Sequence, residues 1–292
     1  MIEIKGLYKS FGDKIALNDI NINFKKGGLH GLVGINGSGK STLLKCICGV
    51  FKGDRGEILI NSKPVYDNID IKQTIAYIED ENDFFNSYRV KDIIKFYKLT
   101  YPKFSDEMFK TLNNLFKIPL NSKIRSLSKG QKMRVSIMMG LSIKPDVLIL
   151  DEPTNGLDPI IRKEFLKILG DYVYENNATA VIASHNLTEL ERMCDSITLL
   201  DNGELKYSLS LDDLKQKMRK IQVIFKGEVE INHPSIVNIE KIGRVHYIVT
   251  NNYDQSIVKY IQLLGAEFIE EVNMSLEDMF IYTVGGEYSG LV

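Results

Sequence analysis

The sequence predicts an α/β fold. A mixed sheet carries a phosphate-binding loop, an antiparallel β portion flanks the loop, a helical insert interrupts the sheet, and a small α+β appendage follows. Three observations carry this prediction. Gly34, Ile35, Asn36, Gly37, Ser38, Gly39, Lys40, Ser41 and Thr42 spell G-x-x-x-x-G-K-[ST] between an apolar-rich strand candidate at residues 29–33 and a helix candidate at residues 42–48. A continuous apolar run at residues 147–150 ends in Asp151 and Glu152, as expected of a buried parallel strand. Beyond about residue 220 strand and helix patterns continue, but no catalytic motif accompanies them.

Residues 2–24 alternate apolar and polar side chains around a turn at Phe11, Gly12 and Asp13, which predicts two antiparallel strands. Residues 53–60 return to strand. From about residue 90 to residue 141 the spacing of Ile93, Ile94, Phe96, Tyr97 and Leu99 is helical, with Pro102, Pro119 and Pro145 as breaks. The helical portion is bounded at about 87–145. Residues 163–174 read as a helix and residues 179–183 as a second buried strand. Asn186 and Glu189 open a further helix as a capping pair, and Asp201, Asn202 and Gly203 mark a hairpin turn. A capped helix is expected at about 210–220. In the appendage, strands are expected at 221–225, 237–242, 245–250 and 266–272, with helices at 256–264 and 275–282. The expected domains are therefore 1–220 and 221–292.

Bulk properties exclude several classes. The 292 residues are 44% hydrophobic and 26% charged, which fits a soluble globular protein of one or two domains. A net charge of −1 gives no nucleic-acid footprint, and no nucleic-acid partner is expected. Cys46, Cys48 and Cys194 have neither disulfide nor metal spacing and read as small buried hydrophobes. No apolar run approaches the ~20 residues that cross a bilayer, and the first residues do not read as a secretory leader.

The phosphate loop has a chemical logic. Glycines let backbone N–H groups turn toward an anion, Lys40 adds a cation for the β- and γ-phosphates, and Ser41 offers a hydroxyl to Mg²⁺. The dipole of the following helix favours the same anion. Asp151, at the end of a buried strand, suits Mg²⁺ directly or through water. Glu152 beside it suits activation of a water that attacks the γ-phosphate. Ser128 and Gly130, in the run Leu127, Ser128, Lys129, Gly130, Gln131, make a second helix N-terminus with a free hydroxyl and exposed N–H groups. His185 ends a strand, where it can hydrogen-bond a γ-phosphate.

Together these motifs resemble the ATP-binding subunit of ATP-binding-cassette transporters over about residues 2–208. Residues 34–42 match the Walker A motif, 127–131 the signature, 147–152 Walker B, Gly156, Leu157 and Asp158 the D-loop, and His185 the switch histidine. The resemblance implies a P-loop NTPase cassette core, with an antiparallel β subdomain and a helical insert, that binds ATP and Mg²⁺ and hydrolyses ATP. It implies that Phe11 stacks on adenine; local packing of a turn aromatic is the other reading. It further implies a head-to-tail dimer with a second copy or a paralogous cassette subunit. ATP on one loop then meets Ser128, Lys129, Gly130 and Gln131 of the other chain. A separate transmembrane permease would hold the protein at the cytoplasmic face of the cell membrane.

Two positions depart from the family pattern. Lys129 stands where glycine is commonest, and Asp80 stands at the place of the Q-loop glutamine, with Glu79 or Glu81 open by one residue of register. Asp80 is expected to reach Mg²⁺, directly or through water. Phe84, Phe85 and Tyr88 either form a docking groove for the permease or anchor the helical insert. The signature and the appendage resemble Gram-positive exporter cassettes that expel antimicrobial or toxin peptides, including phenol-soluble modulins. The implied function is to power an exporter of peptides or other amphipathic compounds. The alternative is a soluble cassette ATPase acting on ribosomes or DNA. Translation factors of that kind usually carry two cassettes in one chain, and chromosome-maintenance ATPases place a long coiled coil between the Walker motifs. This chain has one cassette and no sustained heptads between Lys40 and Asp151.

Overall fold

A computed structural model describes residues 1–80 and 85–284. They divide into two compact units. The first comprises Met1–Asn186 and Met193–Ser208; the second comprises Leu187–Arg192 and the chain from Leu209 onward.

In the first unit, β1 (Ile2–Phe11) and β2 (Lys14–Phe24) form an antiparallel hairpin whose inward residues, including Ile2, Ile4, Ile20 and Ile22, are buried. β3 (Leu29–Val33) runs into the phosphate loop and α1 (Lys40–Ile47) leaves it. β4 (Arg55–Ile60) and β5 (Lys63–Pro64) complete a four-stranded sheet in the order β2-β1-β4-β5. A single turn, α2 (Ile69–Lys72), precedes β6 (Ile75–Ile78). The helical insert contains α3 (Val90–Thr100), α4 (Asp106–Phe116) and α5 (Lys129–Ser142). Then come β7 (Val147–Asp151), α6 (Pro159–Asn176), β8 (Thr179–Ala183), β9 (Ser196–Asp201) and β10 (Glu204–Ser210); α7 (Leu187–Met193), which lies between β8 and β9 in the chain, belongs through Arg192 to the second unit. The second sheet has the order β10-β9-β3-β8-β7-β6, and β9, β3, β8, β7 and β6 pair in parallel.

Every residue of β3, β7 and β8 is buried, which is why these segments read as apolar runs rather than alternating ones. Leu32 pairs with Ala183, and Ala183 with Asp151. The carboxyl ends of β3, β7 and β8 therefore lie side by side, where open α/β sheets gather their chemistry.

The second unit includes α8 (Leu211–Lys217), β11 (Arg219–Phe225), β12 (Ile236–Ile242), β13 (Val245–Thr250), α9 (Gln255–Leu263), β14 (Ala266–Val272) and α10 (Leu276–Val284). Its sheet is antiparallel, in the order β12-β13-β11-β14. Ile257 and Ile261 of α9 pack on Ile221, Val223 and Ile248.

Some boundaries differ from the sequence reading. α6 begins at Pro159, not at residue 163, because Asp158 caps it by accepting from Ile161 N–H at 3.0 Å. α8 stops at Lys217, and Arg219 already belongs to β11. The units divide after Ser208 and not at residue 220. Tyr253 N–H donates to Lys217 O at 2.9 Å, which ties α8 to the appendage. β5 and α2 are too short to show a period and were not anticipated.

Glu191 of α7 joins three elements of the second unit. It accepts from Lys215 at 2.8 Å and from Leu276 N–H at 3.1 Å. Burial works against its charge, but these two donors outweigh it and hold the carboxyl below the ordinary glutamate value. A lowered carboxylate pKa contributes stability above the unfolded value, and the contribution is lost as pH falls through the folded one. Glu191→Gln should cost about 1 kcal/mol at neutral pH. The cost should shrink as pH drops below about 4, the range of free glutamate. Urea denaturation of the full chain across pH checks this; a difference independent of pH contradicts it.

Candidate active site at the strand ends

The phosphate loop is set by its backbone. Gly34, Gly37 and Gly39 have φ of +157°, +84° and +103°. A side chain on Gly39 would meet Ala16 O at 2.5 Å, and one on Gly34 would meet Leu200 O at 2.3 Å. The loop is braced beneath by the β9–β10 turn: Gly203 N–H donates to Ser38 O at 3.0 Å, and Asn18 N–H donates to Gly203 O at 2.8 Å. The first turn of α1 has no side-chain cap, so its N–H groups are left to the loop's concavity. Ser38 is buried, and its hydroxyl has no hydrogen-bond partner among the described residues.

A cavity of about 300 Å³ opens over this loop. Asn36, Gly37, Gly39, Lys40, Ser41 and Thr42 line it from the loop side. Gly34, Ile35 and Ser38 of the same loop do not line it. Lys40 Nζ donates to Gly34 O at 2.7 Å and to Ile35 O at 3.0 Å. Burial lowers the Lys40 pKa, while Glu152 and Asp151 oppose that shift. Phe11 reaches the same cavity from the β1–β2 turn, 46% exposed, with Phe51 edge-on to it at 5.3 Å and Lys9 Nζ 5.3 Å from its ring. Half of that ring is thus packed and the rest is open to a stacking partner.

Asp151 and Glu152 close the far side of the cavity. Asp151 is 8% exposed, and burial raises its pKa; a hydrogen bond from Ser41 works against that, and the charges of Glu152 and Asp80 add to it. A buried carboxylate bonded to a hydroxyl, beside an anion-binding loop, is a donor set suited to a hard divalent cation such as Mg²⁺. Glu152 sits at φ +49°, the left-handed region. Its N–H is tied to Ala183 O at 2.9 Å. Its carboxylate accepts from His185 N–H at 3.0 Å and lies 2.9 Å from His185 Nδ1. The His185 side chain is 73% exposed. A carboxylate held this way can take a proton from a water in the cavity, with the histidine beside it to steady the charge.

The signature residues lie elsewhere: none of Ser128, Lys129, Gly130 or Gln131 lines this cavity. Ser128 caps α5. Its hydroxyl oxygen accepts from Gln131 N–H at 3.3 Å, while Ser128 N–H donates to Gln131 Oε1 at 3.0 Å. The free hydroxyl expected from sequence is therefore engaged as an acceptor, though it still carries a proton to donate. A Cβ on Gly130 would lie 2.2 Å from Gly156 O, so this glycine is demanded by close packing on the D-loop. Asp158 of that loop also accepts from Arg134 at 2.6 Å. The Ile161 N–H bond and Arg134 keep its carboxyl below the ordinary value.

Asp80 does not line the cavity with Ser41 and Asp151, although its charge reaches Asp151. Its oxygens are taken by Lys129, at 3.1 Å, and by Asn155 Nδ2, at 3.5 Å. Glu79 pairs with Lys45 of α1. Glu81 and Phe84 lie outside the described residues. Phe85 contacts Tyr88, Phe96 and Tyr97 at centroid distances of 5.8–6.5 Å, so it anchors the helical insert, while Tyr88 is 56% exposed. Sequence reasoning missed the brace from Gly203 and the lining by Lys14 and Ala16. The only signal for these was their place in turns and a strand far along the chain.

Known proteins share this arrangement. The sequence profile of the family described as ABC transporter matches residues 17–155. The ABC transporter ATP-binding protein YtrB of Bacillus subtilis (strain 168) is 32% identical over 289 residues, covering 98% of this chain and 99% of that protein. The bacitracin transport ATP-binding protein BcrA of Bacillus licheniformis is 28% identical, covering 98% of each. A solved structure of an ATP binding subunit of an ABC transporter superposes with a TM-score of 0.67 at 28% identity, covering 74% of this chain and 92% of that one. The chain belongs to the family of ABC transporter ATP-binding proteins, and it is an ATPase of that family. Among the described residues no helix is long and apolar enough to cross a membrane.

Because Asp151 is charged against its burial, Asp151→Asn should raise the thermal midpoint of the nucleotide-free protein by a few degrees. It should also abolish the further rise that Mg²⁺ adds in the presence of ATP. Thermal denaturation with ATP, with and without Mg²⁺, reads both effects. A lower midpoint in the nucleotide-free variant contradicts this reading of Asp151.

Proposed function

We propose that this chain is the ATP-hydrolysing subunit of a membrane exporter, and that it works as a head-to-tail pair on a separate transmembrane partner. The observation that carries this is the separation of two half-sites. Lys40, Ser41, Asp151 and Glu152 line one cavity, with His185 held against Glu152, while none of the residues at the capped N-terminus of α5 lines it. A second chain, identical or paralogous, would supply Ser128, Lys129, Gly130 and Gln131 to ATP held on the first, and Asp158 would border that contact.

The loop N–H groups and Lys40 would hold the phosphates, and Phe11 would stack on the adenine. Ser41 and Asp151 would hold Mg²⁺, which offsets phosphate charge and supplies Lewis-acid polarisation when bound. Glu152 would accept the proton of the attacking water, and His185 would hydrogen-bond the γ-phosphate. Two copies joined through ATP separate once the phosphate bridge is cut, which couples the chemistry to motion in a membrane partner. The protein itself would sit peripherally at the cytoplasmic face of the membrane.

The cargo class rests on the relatives. BcrA, named for transport of the peptide bacitracin, aligns along 98% of both chains, appendage included. Peptides or other amphipathic compounds are therefore the proposed cargo. The appendage, with no catalytic motif, is assigned a supporting role in dimer or partner assembly.

Glu152→Gln keeps an acceptor for His185 N–H but removes the base. It should bind ATP normally, lower turnover by at least about a hundredfold and accumulate a dimer with Mg-ATP. Size-exclusion chromatography and a phosphate-release assay check this. Turnover at the wild-type rate overturns the assignment of Glu152.

A further inference from the structure

The two departures from the family pattern meet in space. Asp80 stands where a glutamine is usual and Lys129 where a glycine is usual, and their side chains form an ion pair at 3.1 Å. Lys129 is the first residue of α5, and a cation there opposes the helix dipole. It requires a counter-charge, and Asp80 supplies one.

The neighbouring residue makes the arrangement specific. Consecutive carboxylates at the end of β6 are claimed by different helices: Glu79 by Lys45 of α1, which leaves the phosphate loop, and Asp80 by Lys129 of α5. Asn155, three residues beyond Glu152, also reaches Asp80. Lys129 Nζ reaches both oxygens of the Asp80 carboxylate, at 3.1 and 3.2 Å, and Asn155 Nδ2 shares one of them at 3.5 Å, so the segment leading from the candidate base and the signature helix meet on one carboxylate. The Asp80 and Lys129 side chains are 31% and 49% exposed. An ion pair this open to water is weak and exchanges readily for a better anion.

We propose that Asp80 and Lys129 form a charge-exchange latch. In the single chain Asp80 neutralises Lys129 and holds the start of α5 to the core. When two chains close, Lys129 passes from Asp80 to the phosphates of ATP on the other chain, beside Ser128. A triphosphate is the stronger competitor because it offers several charged oxygens in a closed, partly dehydrated interface. The signature then contributes a cation as well as its backbone N–H groups, and closure is charged the cost of opening the pair. This inference rests on the head-to-tail reading above.

The test measures the ATP concentration giving half-maximal dimer by sedimentation in the Glu152→Gln background, with Asp80→Asn, Lys129→Gln and the reversed pair Asp80→Lys with Lys129→Asp. The latch predicts opposite signs. Asp80→Asn removes this counter-charge, loosens the hold on Lys129 and lowers the required ATP roughly threefold. Lys129→Gln removes the cation and raises it about tenfold. The reversed pair stays as poor as Lys129→Gln, because an aspartate now faces the phosphates. If both single variants raise the required ATP and the reversed pair restores it, the bridge is a structural tie and the latch is overturned. If Glu152→Gln alone forms no dimer at any ATP concentration, the head-to-tail reading falls and the latch falls with it.

Discussion

The backbone of the phosphate loop is the constraint on which the rest of the site depends. Gly34, Gly37 and Gly39 hold positive φ angles, and side chains at Gly34 and Gly39 would run into Leu200 O and Ala16 O. The loop is therefore clamped between β2 on one side and the end of β9 on the other. The clamp brings the antiparallel sheet and the parallel sheet together around one turn of chain. It also aims the uncapped N-terminus of α1 and the Lys40 side chain into one cavity. A loop free to relax would satisfy its own N–H groups and lose the concavity that an anion needs.

Like charges crowd around that loop, and the fold bears the cost locally. Asp151 is buried against the penalty of its charge, with Glu152 and Asp80 adding to it and Ser41 easing it. Glu152 sits in a left-handed conformation, held by Ala183 O below and by the backbone and side chain of His185 beyond. Such local strain persists only where the surroundings over-determine it, here through the parallel register that aligns the ends of β7 and β8. A bound divalent cation would offset this carboxylate crowding, whereas the phosphates, themselves anionic, would be met by Lys40 and the loop N–H groups.

Much of this was legible in the sequence because the signals were local. The fully buried strands β3, β7 and β8 were visible as short apolar runs, and the phosphate loop, Asp151 and Glu152 fell at their ends. The pairing of His185 with Glu152 follows from two adjacent strand ends, each recognisable alone. What was not legible depended on distance along the chain. The brace from Gly203 to Ser38 joins segments that no periodicity relates. Asp80 read as a metal ligand because its register matched the Q-loop; only the fold brings Lys129 to it. The free hydroxyl expected at Ser128 was a consequence of naming the helix start without following its capping box to Gln131. The division of the two compact units after Ser208, rather than at residue 220, was hidden for a similar reason. A capped helix at 211–217 looks the same in sequence whichever unit it packs on, and the bond from Tyr253 to Lys217 decides it.

The central claim is that one functional site is assembled from the phosphate loop of one chain and the signature helix of another. Complementation between two inactive variants tests it most directly. Lys40→Ala disables the loop and Ser128→Arg blocks the signature, so each alone should hydrolyse ATP at background rate. Mixed in equal amounts, half of the dimers pair one of each and contain one intact site. Activity should then recover to about a quarter of wild type for a randomly exchanging two-fold assembly. Activity that stays at background in the mixture, or a Ser128→Arg protein that retains full activity by itself, would contradict the account and place the whole site within a single chain.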